Sequence, residues 1–438
     1  MFFIVVKNQL EVTKVIVEVV FLLDESECGV YKTWRGYECM RCGNKQQTYF
    51  ATFRDMYEEQ MITYCRKCIT IGQANTCEAL RAVYERKEVI GKFTFVLPFA
   101  LQREQQGALL DLQRHRKEGN TLLLQAVCGA GKTEIIAAFI ADALRKGQYV
   151  GWAIARKDVV IEITERLRLY FPTTNIVGLY QQSPDLTKDG QLVVLTTARL
   201  YDFYRFFDIL IVDENDAFPF SIDEGQKYAA KKAVVPDGLT IHISATVLRQ
   251  QRSDYDYMTS IARRFHQHDL PHITFQRYPL FAWWRGRALG KRMSAMIDEW
   301  LAQSFPIFIF VSNKKLGRAF TRLVQHQYGD ESVMFVSSDM IDRTEILQRV
   351  RAGTLPILVT TTILERGITY KNLQVIVLDA DATLFDAQTL IQIAGRVGRN
   401  IAAPTGSIVF CYETYVSPAM RKAQHYHAQA NEGEVVFL

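Results

Sequence analysis

"QAVCGAGKTE", residues 125–134, decides how the chain is read. It follows "TLLLQAV" (121–127), a short apolar run with the look of a buried strand. It leads into "TEIIAAFIADALRKG" (133–147), whose spacing predicts a helix stopped at Gly147. A strand, a glycine-rich turn and a helix start together make a phosphate cradle. Gly129, Ala130 and Gly131 let backbone N–H groups turn inward, and the helix N-terminus adds a field that favours anions. In that setting Lys132 would neutralise the β- and γ-phosphates of a nucleotide, and the Thr133 hydroxyl would ligate Mg2+. The stretch departs from the usual loop at Ala126, where a first Gly is expected. That position mainly has to permit a tight backbone path, and Ala is small.

A second stretch supports the first. "ILIVDEND" (209–216) is an apolar strand ending in two acids. Asp213 would hold Mg2+ and Glu214 would polarise the attacking water. Between and beyond these stretches, short apolar runs alternate with longer amphipathic ones, the pattern of α/β units around a parallel sheet. "YVGWAIA" (149–155), "QLVVLTT" (191–197) and "LTIHISAT" (239–246) read as further strands of a first half. From about 248 to 285 the pattern loosens into a connection. The helix-like "GKRMSAMIDEWLAQS" (290–304) then opens a second half. Its strands are "PIFIFVS", "SVMFVS", "PILVTT", "LQVIVLDA" and "TGSIVFCY".

The 438 residues suit two or three domains, and 48% hydrophobic content excludes wholesale disorder. A net charge of +5 permits a nucleic-acid partner without demanding one. The apolar start, "MFFIVVKNQLEVTKVIVEVVFLL", is interrupted by Lys7, Glu11, Lys14 and Glu18, so no window reaches the ~18 apolar residues of a spanning helix. Its β-branched runs read as strands, and a cytoplasmic location is expected. Of eight cysteines, four form two C-x-x-C knuckles, Cys39/Cys42 and Cys65/Cys68, with 22 residues between them. Two such knuckles make a tetrahedral thiolate cage suited to structural Zn2+. Cys28, Cys77, Cys128 and Cys411 lack partner spacing and are expected to be ordinary buried thiols.

Further motifs come in a fixed order. They are "LQREQ" (101–105), "IARKDVV" (154–160), "TTARL" (196–200), "SAT" (244–246), "FIFVSN" (308–313), "TTTILERGIT" (360–369) and "QIAGRVGR" (392–399). With the phosphate loop and acidic strand they resemble a superfamily 2 helicase, DEAD-box-like, over residues 100–400. The resemblance implies two tandem RecA-like parallel-sheet domains behind a small β-rich four-cysteine module. It points to Gln105 as an adenine contact, to Gly367 in the cofactor site, and to Gln392, Arg396 and Arg399 in catalysis. It places Arg156, Thr197, Arg199, Asn313 and Thr361 on nucleic acid, with Arg366 at a matching place in the fifth motif. An arginine brought to the γ-phosphate by the far domain is worth about 10³–10⁵ in rate and makes hydrolysis depend on closure.

The cysteine module ahead of the motor, the compact length and "DENDAFPF" (213–220) narrow the resemblance to ComFA, the late competence ATPases. Asp216 matches that family, whereas Asn215 stands where a small apolar residue is usual. The resemblance implies a single-stranded-DNA translocase for DNA uptake, cytoplasmic or peripheral at the inner membrane face beside an uptake channel. ComFC-like and DprA-like competence proteins would be partners; the oligomeric state is not implied. Domain ranges of 1–90, 91–277 and 278–438 are expected. A primosomal-type restart helicase carries its cysteines inside its second half, unlike this chain. An RNA helicase and a non-catalytic nucleic-acid-binding scaffold are the other readings. Strand contacts are expected to be spread over groove residues including Lys157, Lys314, Lys315 and Arg343. Phe203, Tyr204, Phe206 and Phe207 are read as core aromatics before base-stacking ones, and Trp283 and Trp284 stay open between the two.

Overall fold

The computed structural model describes residues 28–57, 59–78, 84, 86–87, 92–279, 289–337, 343–362, 370–434 and 437–438. The strands expected near the start, Trp283, Trp284, Arg366 and Gly367 lie outside the described residues.

Two antiparallel hairpins come first. β1 (Val30–Thr33) pairs with β2 (Gly36–Cys39), and β3 (Phe50–Arg54) pairs with β4 (Met61–Cys65). Cys39 closes β2 and Cys65 closes β4, so each hairpin ends in one cysteine pair.

A seven-stranded sheet follows. Its strands are β5 (Thr121–Ala126), β6 (Val150–Ile154), β7 (Ile176–Leu179), β8 (Leu192–Thr196), β9 (Phe207–Asp213), β10 (Val234–Ser244) and β11 (Tyr257–Ile261). Their order is β11-β5-β10-β9-β6-β8-β7. A six-stranded sheet comprises β12 (Ile273–Arg277), β13 (Ile307–Phe310), β14 (Val333–Val336), β15 (Ile357–Thr360), β16 (Gln374–Val377) and β17 (Ile408–Tyr412), ordered β12-β17-β16-β13-β15-β14. The expected strands are present in both halves. The stretch 248–285 is not a bare connection, however, since it contains β11 and β12. β7 was also absent from the sequence reading. β11 and β12 each end a sheet and bury only part of their surface, so they lack the apolar runs of the inner strands.

By contacts the chain forms two compact units. One comprises Met1–Phe99, Arg114–Leu122 and Ala137–His242; the other comprises Ala100–Gln113, Leu123–Ile136 and Ile243–Leu438. In the first, parallel pairing sets Ile154 opposite both Thr196 and Asp213. The segments carrying Arg156, Thr197 and Glu214 therefore leave one sheet edge, the carboxyl edge where open α/β sheets bind ligands. The core of this unit runs from Cys39, Cys65 and Cys68 through Tyr84 to Phe203, Phe206, Phe207 and Ala229, so the cysteine module is continuous with the sheet's own core.

In the second unit, Phe310 stands opposite Thr360 and Val377. "FVSN" and Thr361 thus leave the same edge of the six-stranded sheet. Met293, Ile297 and Trp300 of the helix Lys291–Ala302 pack with Phe320 and Val324 of the helix Lys314–Tyr328 around Ile307, Ile309 and Ile357.

Candidate functional site

The four module cysteines are buried and their sulfurs lie within 4.8 Å of one another. Cys39 Sγ is 3.7 Å from Cys68 Sγ, and Cys42 Sγ is 3.7 Å from Cys65 Sγ. A tetrahedron with Zn–S bonds of about 2.3 Å has an edge of roughly 3.8 Å, so the donor set fits zinc in type and size. The Gly43 amide donates to Cys39 O at 2.9 Å, closing the first knuckle, and Asn44 Nδ2 donates to Cys65 Sγ at 3.8 Å. Hydrogen bonds from Cys39, Cys42 and Cys68 hold the Cys65 thiol far below its usual range, and those with Cys39, Cys42 and Cys65 push Cys68 up. A divalent cation bound there would relieve that competition by taking four thiolates at once. Of the remaining cysteines, Cys128 and Cys411 are buried as expected, but Cys77 is exposed and Cys28 half-buried. Cys77 lies in a tight turn, its N–H donating to Asn75 Oδ1 at 2.9 Å, which leaves its side chain at the surface.

The phosphate loop leaves β5 and enters the helix Lys132–Arg145. Gly129 and Gly131 have φ of +86° and +78°, the left-handed region that side-chain-bearing residues rarely adopt. Lys132 Nζ donates to Ala126 O at 3.4 Å, so the unusual Ala supplies a backbone rest for the lysine. Thr133 is half-buried in the first helical turn. Gln105 is buried; its Nε2 donates to Ala130 O at 2.9 Å and its Oε1 accepts from Gln102 N at 2.8 Å. The glutamine motif is thereby tied directly to the loop backbone.

In the same unit, the loop after the helix Ala387–Ala394 rests on the phosphate loop. Cys128 Sγ donates to Gln392 Oε1 at 3.4 Å. A β-carbon built on Gly395 would stand 2.7 Å from Cys128 Sγ, so only glycine permits this approach. Arg396 is buried and Arg399 half-buried on either side of Val397 and Gly398. Sequence reasoning missed Arg264, a buried residue of the loosened stretch. Its guanidinium donates to Gly398 O at 2.7 Å, Val397 O at 2.8 Å and Gly395 O at 3.4 Å. It also missed Tyr426, whose hydroxyl donates to Ala245 O of "SAT" at 2.8 Å. Within that motif Ser244 Oγ donates to Thr246 O at 2.8 Å.

At the end of β9, Asp213 and Glu214 are half-buried. Glu214 has φ of +52°, and its carbonyl accepts from Ala217 N at 2.7 Å. The chain therefore turns sharply as it leaves the sheet, a strained conformation of the kind found at functional positions.

The expected nucleic-acid residues are more varied. Arg156 begins the helix Lys157–Tyr170 and is half-buried. Thr197 is buried at the start of a 3-10 turn. Arg199 Nε lies 2.7 Å from Oδ2 of Asp202, so its charge is engaged internally. Burial pushes the Asp202 carboxyl up to about 6 against the pull of Arg199, Arg41 and Lys232. Asn313 is exposed but caps its helix, its Oδ1 accepting from Leu316 N at 2.9 Å. Thr361 is half-buried beyond β15. Lys157 lies over the Tyr180 ring at 4.9 Å, Lys315 is exposed, and Arg343 opens the helix Arg343–Arg351. Phe203, Phe206 and Phe207 are buried in a ring cluster with Tyr84, which stacks on Phe203 at 4.9 Å; they are core aromatics.

Three family models match the chain. The competence protein ComFA N-terminal domain matches residues 11–82, the type III restriction enzyme res subunit 98–249, and the helicase conserved C-terminal domain 291–401. Competence protein ComFA of Bacillus subtilis is 30% identical over 91% of this chain and 86% of its own length. The Streptococcus pneumoniae ComFA is 31% identical over 90% of each. Among solved structures, S. cerevisiae Dbp5 bound to RNA and ADP BeF3 aligns with a TM-score of 0.52 at 16% identity, covering 77% of this chain and 93% of that one; this likeness bears on fold alone. The cysteine module, the ordered motifs and the full-length relatives together make the chain a member of the competence protein ComFA family, an ATP hydrolase of helicase superfamily 2.

Proposed function

We propose that the chain is an ATP-driven translocase on single-stranded DNA that serves DNA uptake during natural transformation. The observation that carries this reading is the seating of the arginine loop on the phosphate loop, with Gly395 against Cys128 and Gln392 bonded to its thiol. Arg396 and Arg399 then stabilise charge that develops on the transferring phosphoryl group, whose oxygens Lys132 also neutralises. Thr133 and Asp213 hold Mg2+, which screens the phosphates, and Glu214 orients the attacking water. Residues 91–277 and 278–438 serve as two lobes whose closing and opening follow the nucleotide, and 1–90 holds Zn2+. Lys132, Glu214, Arg396 and Arg399 are all present, which argues against a catalytically dead scaffold.

The relatives' competence role supports DNA as the track, delivered from a membrane channel on the cytoplasmic side, with ComFC-like and DprA-like proteins as partners. Sequence-tolerant grip follows from phosphate and sugar contacts by groove residues such as Arg156 and Thr361. The test is the ATPase rate against single-stranded DNA, duplex DNA and single-stranded RNA. Stimulation by single-stranded DNA should exceed that by RNA by on the order of tenfold. Equal or greater stimulation by RNA rejects the assignment.

A further inference from the structure

The segment 261–266 lies along the phosphate loop. Val127 N donates to Ile261 O at 3.1 Å, and Phe265 N donates to Gly129 O at 3.0 Å. These two backbone bonds bracket the start of the loop, so the position of Arg264 is set by the loop itself. From there its guanidinium reaches Gly395, Val397 and Gly398 through their carbonyl oxygens. Gly398 O also lies 3.1 Å from His266 Nε2. Among the described residues no carboxylate pairs with Arg264, although its side chain is almost entirely buried. Burial pulls its pKa down to about 10, which leaves it cationic at neutral pH.

A buried cation without a counter-charge is costly, and its planar fork of donors is spent here on neutral carbonyls. Those carbonyls belong to the turn that carries Arg396 and Arg399. Lysine at this position offers a point charge that cannot span three acceptors.

We propose that Arg264 is a positioning residue for hydrolysis: it fixes the Gly395–Gly398 turn onto the phosphate loop and thereby aims the arginines on that turn. The inference rests on the arginine-loop reading above. It extends that reading to a residue outside the recognised motifs. Displacing a catalytic group by about 1 Å costs around a hundredfold in rate, so loosening this clamp should slow chemistry without unseating the nucleotide.

The experiment is a double-mutant cycle on the full chain with Arg264→Lys, Arg399→Ala and the double variant. DNA-stimulated kcat, KM for ATP and melting temperature are read for each. Arg264→Lys should lower kcat roughly 30- to 100-fold, with KM within about threefold and a melting temperature lowered by only a few degrees, the cost of weakened buried hydrogen bonds. The double variant should lose clearly less than the product of the two single losses, because the clamp then has only Arg396 left to aim. Losses that multiply overturn the proposal, as does a kcat for Arg264→Lys within threefold of the parent. A kcat lost only in step with melting temperature and KM also overturns it, because it marks a purely structural residue. Should Arg399→Ala retain full rate, the arginine-loop reading fails and this inference falls with it; an active Arg264→Lys beside an inactive Arg399→Ala removes the clamp alone.

Discussion

Gly395 and Cys128 touch backbone to side chain: a β-carbon on Gly395 would lie 2.6 Å from Cys128 Cβ and 3.1 Å from Ile391 O. The two residues belong to the arginine motif and the phosphate loop. Gly395→Ala should therefore push the arginine turn away from the loop. Expected is a fall in kcat of roughly 10- to 100-fold with ATP affinity nearly kept. Cys128→Gly in the same chain removes most of the clash and should restore part of the rate. Gly395→Ala enzyme with parental kcat would show that the contact does not matter to hydrolysis.

Lys132 rests on Ala126 O and carries the charge expected at the β/γ-phosphates. Lys132→Ala should abolish DNA-stimulated hydrolysis, a loss of at least about 10³. Zinc content should stay unchanged, because the lysine has no part in the cysteine cluster. Surviving hydrolysis would place the nucleotide elsewhere.

The cysteine module is tied into the sheet core. Tyr84 stacks on Phe203, and Lys232 Nζ donates to Arg41 O between the first two cysteines at 3.3 Å. Cys39→Ser should lower bound zinc per chain and also the melting temperature of the motor, by roughly 5–10 °C. Metal analysis and thermal unfolding read the two effects separately. Unaltered zinc would remove Cys39 from the ligand set, and zinc loss with an unmoved transition would show that the module is energetically separate.

How much of this was legible in the sequence depended on burial and on an unbroken apolar run: β7 is wholly buried but short and interrupted by Gly178, and was not read. β6 and β8 run through the sheet interior, and their apolar runs announced them. Phe203 and Phe207 likewise read as core and are core, since adjacent aromatics so close to a buried strand have little else to do. The edge strands β11 and β12 were not legible, because a strand covered on one side needs only part of its residues apolar. The phosphate-loop and cysteine-knuckle patterns were legible because each is written in residue types at short spacing, although the cage itself joins cysteines 23 and 29 residues apart. Arg264 was not. Its partners lie 131 to 134 residues away and are backbone carbonyls, which leave no trace in residue type. Asp202 shows the same limit from the other side. It is buried against Arg199 and takes up a charge that the sequence reading assigned to nucleic acid.

His427 gives a pH dependence with a definite sign. It is buried on the helix Pro418–Asn431, next to Tyr426, which holds the "SAT" carbonyl. Its Nδ1 lies 2.9 Å from Pro271 O, an acceptor, so the neutral ring donates there. Burial pulls its pKa down to about 4, below the ordinary 6.5. The folded state therefore binds this proton less well than the unfolded chain. The stability it confers is complete above pH 6.5 and is lost as pH falls from 6.5 toward 4. At pH 5 the loss is about 2 kcal/mol relative to neutral pH, worth roughly 4–8 °C in the melting temperature. His427→Gln keeps a donor for Pro271 and has no proton to gain, so its melting temperature should fall less between pH 7 and pH 5 than the parent's. Identical profiles for the two proteins would mean that the ring is already charged in the native fold, or that water reaches it.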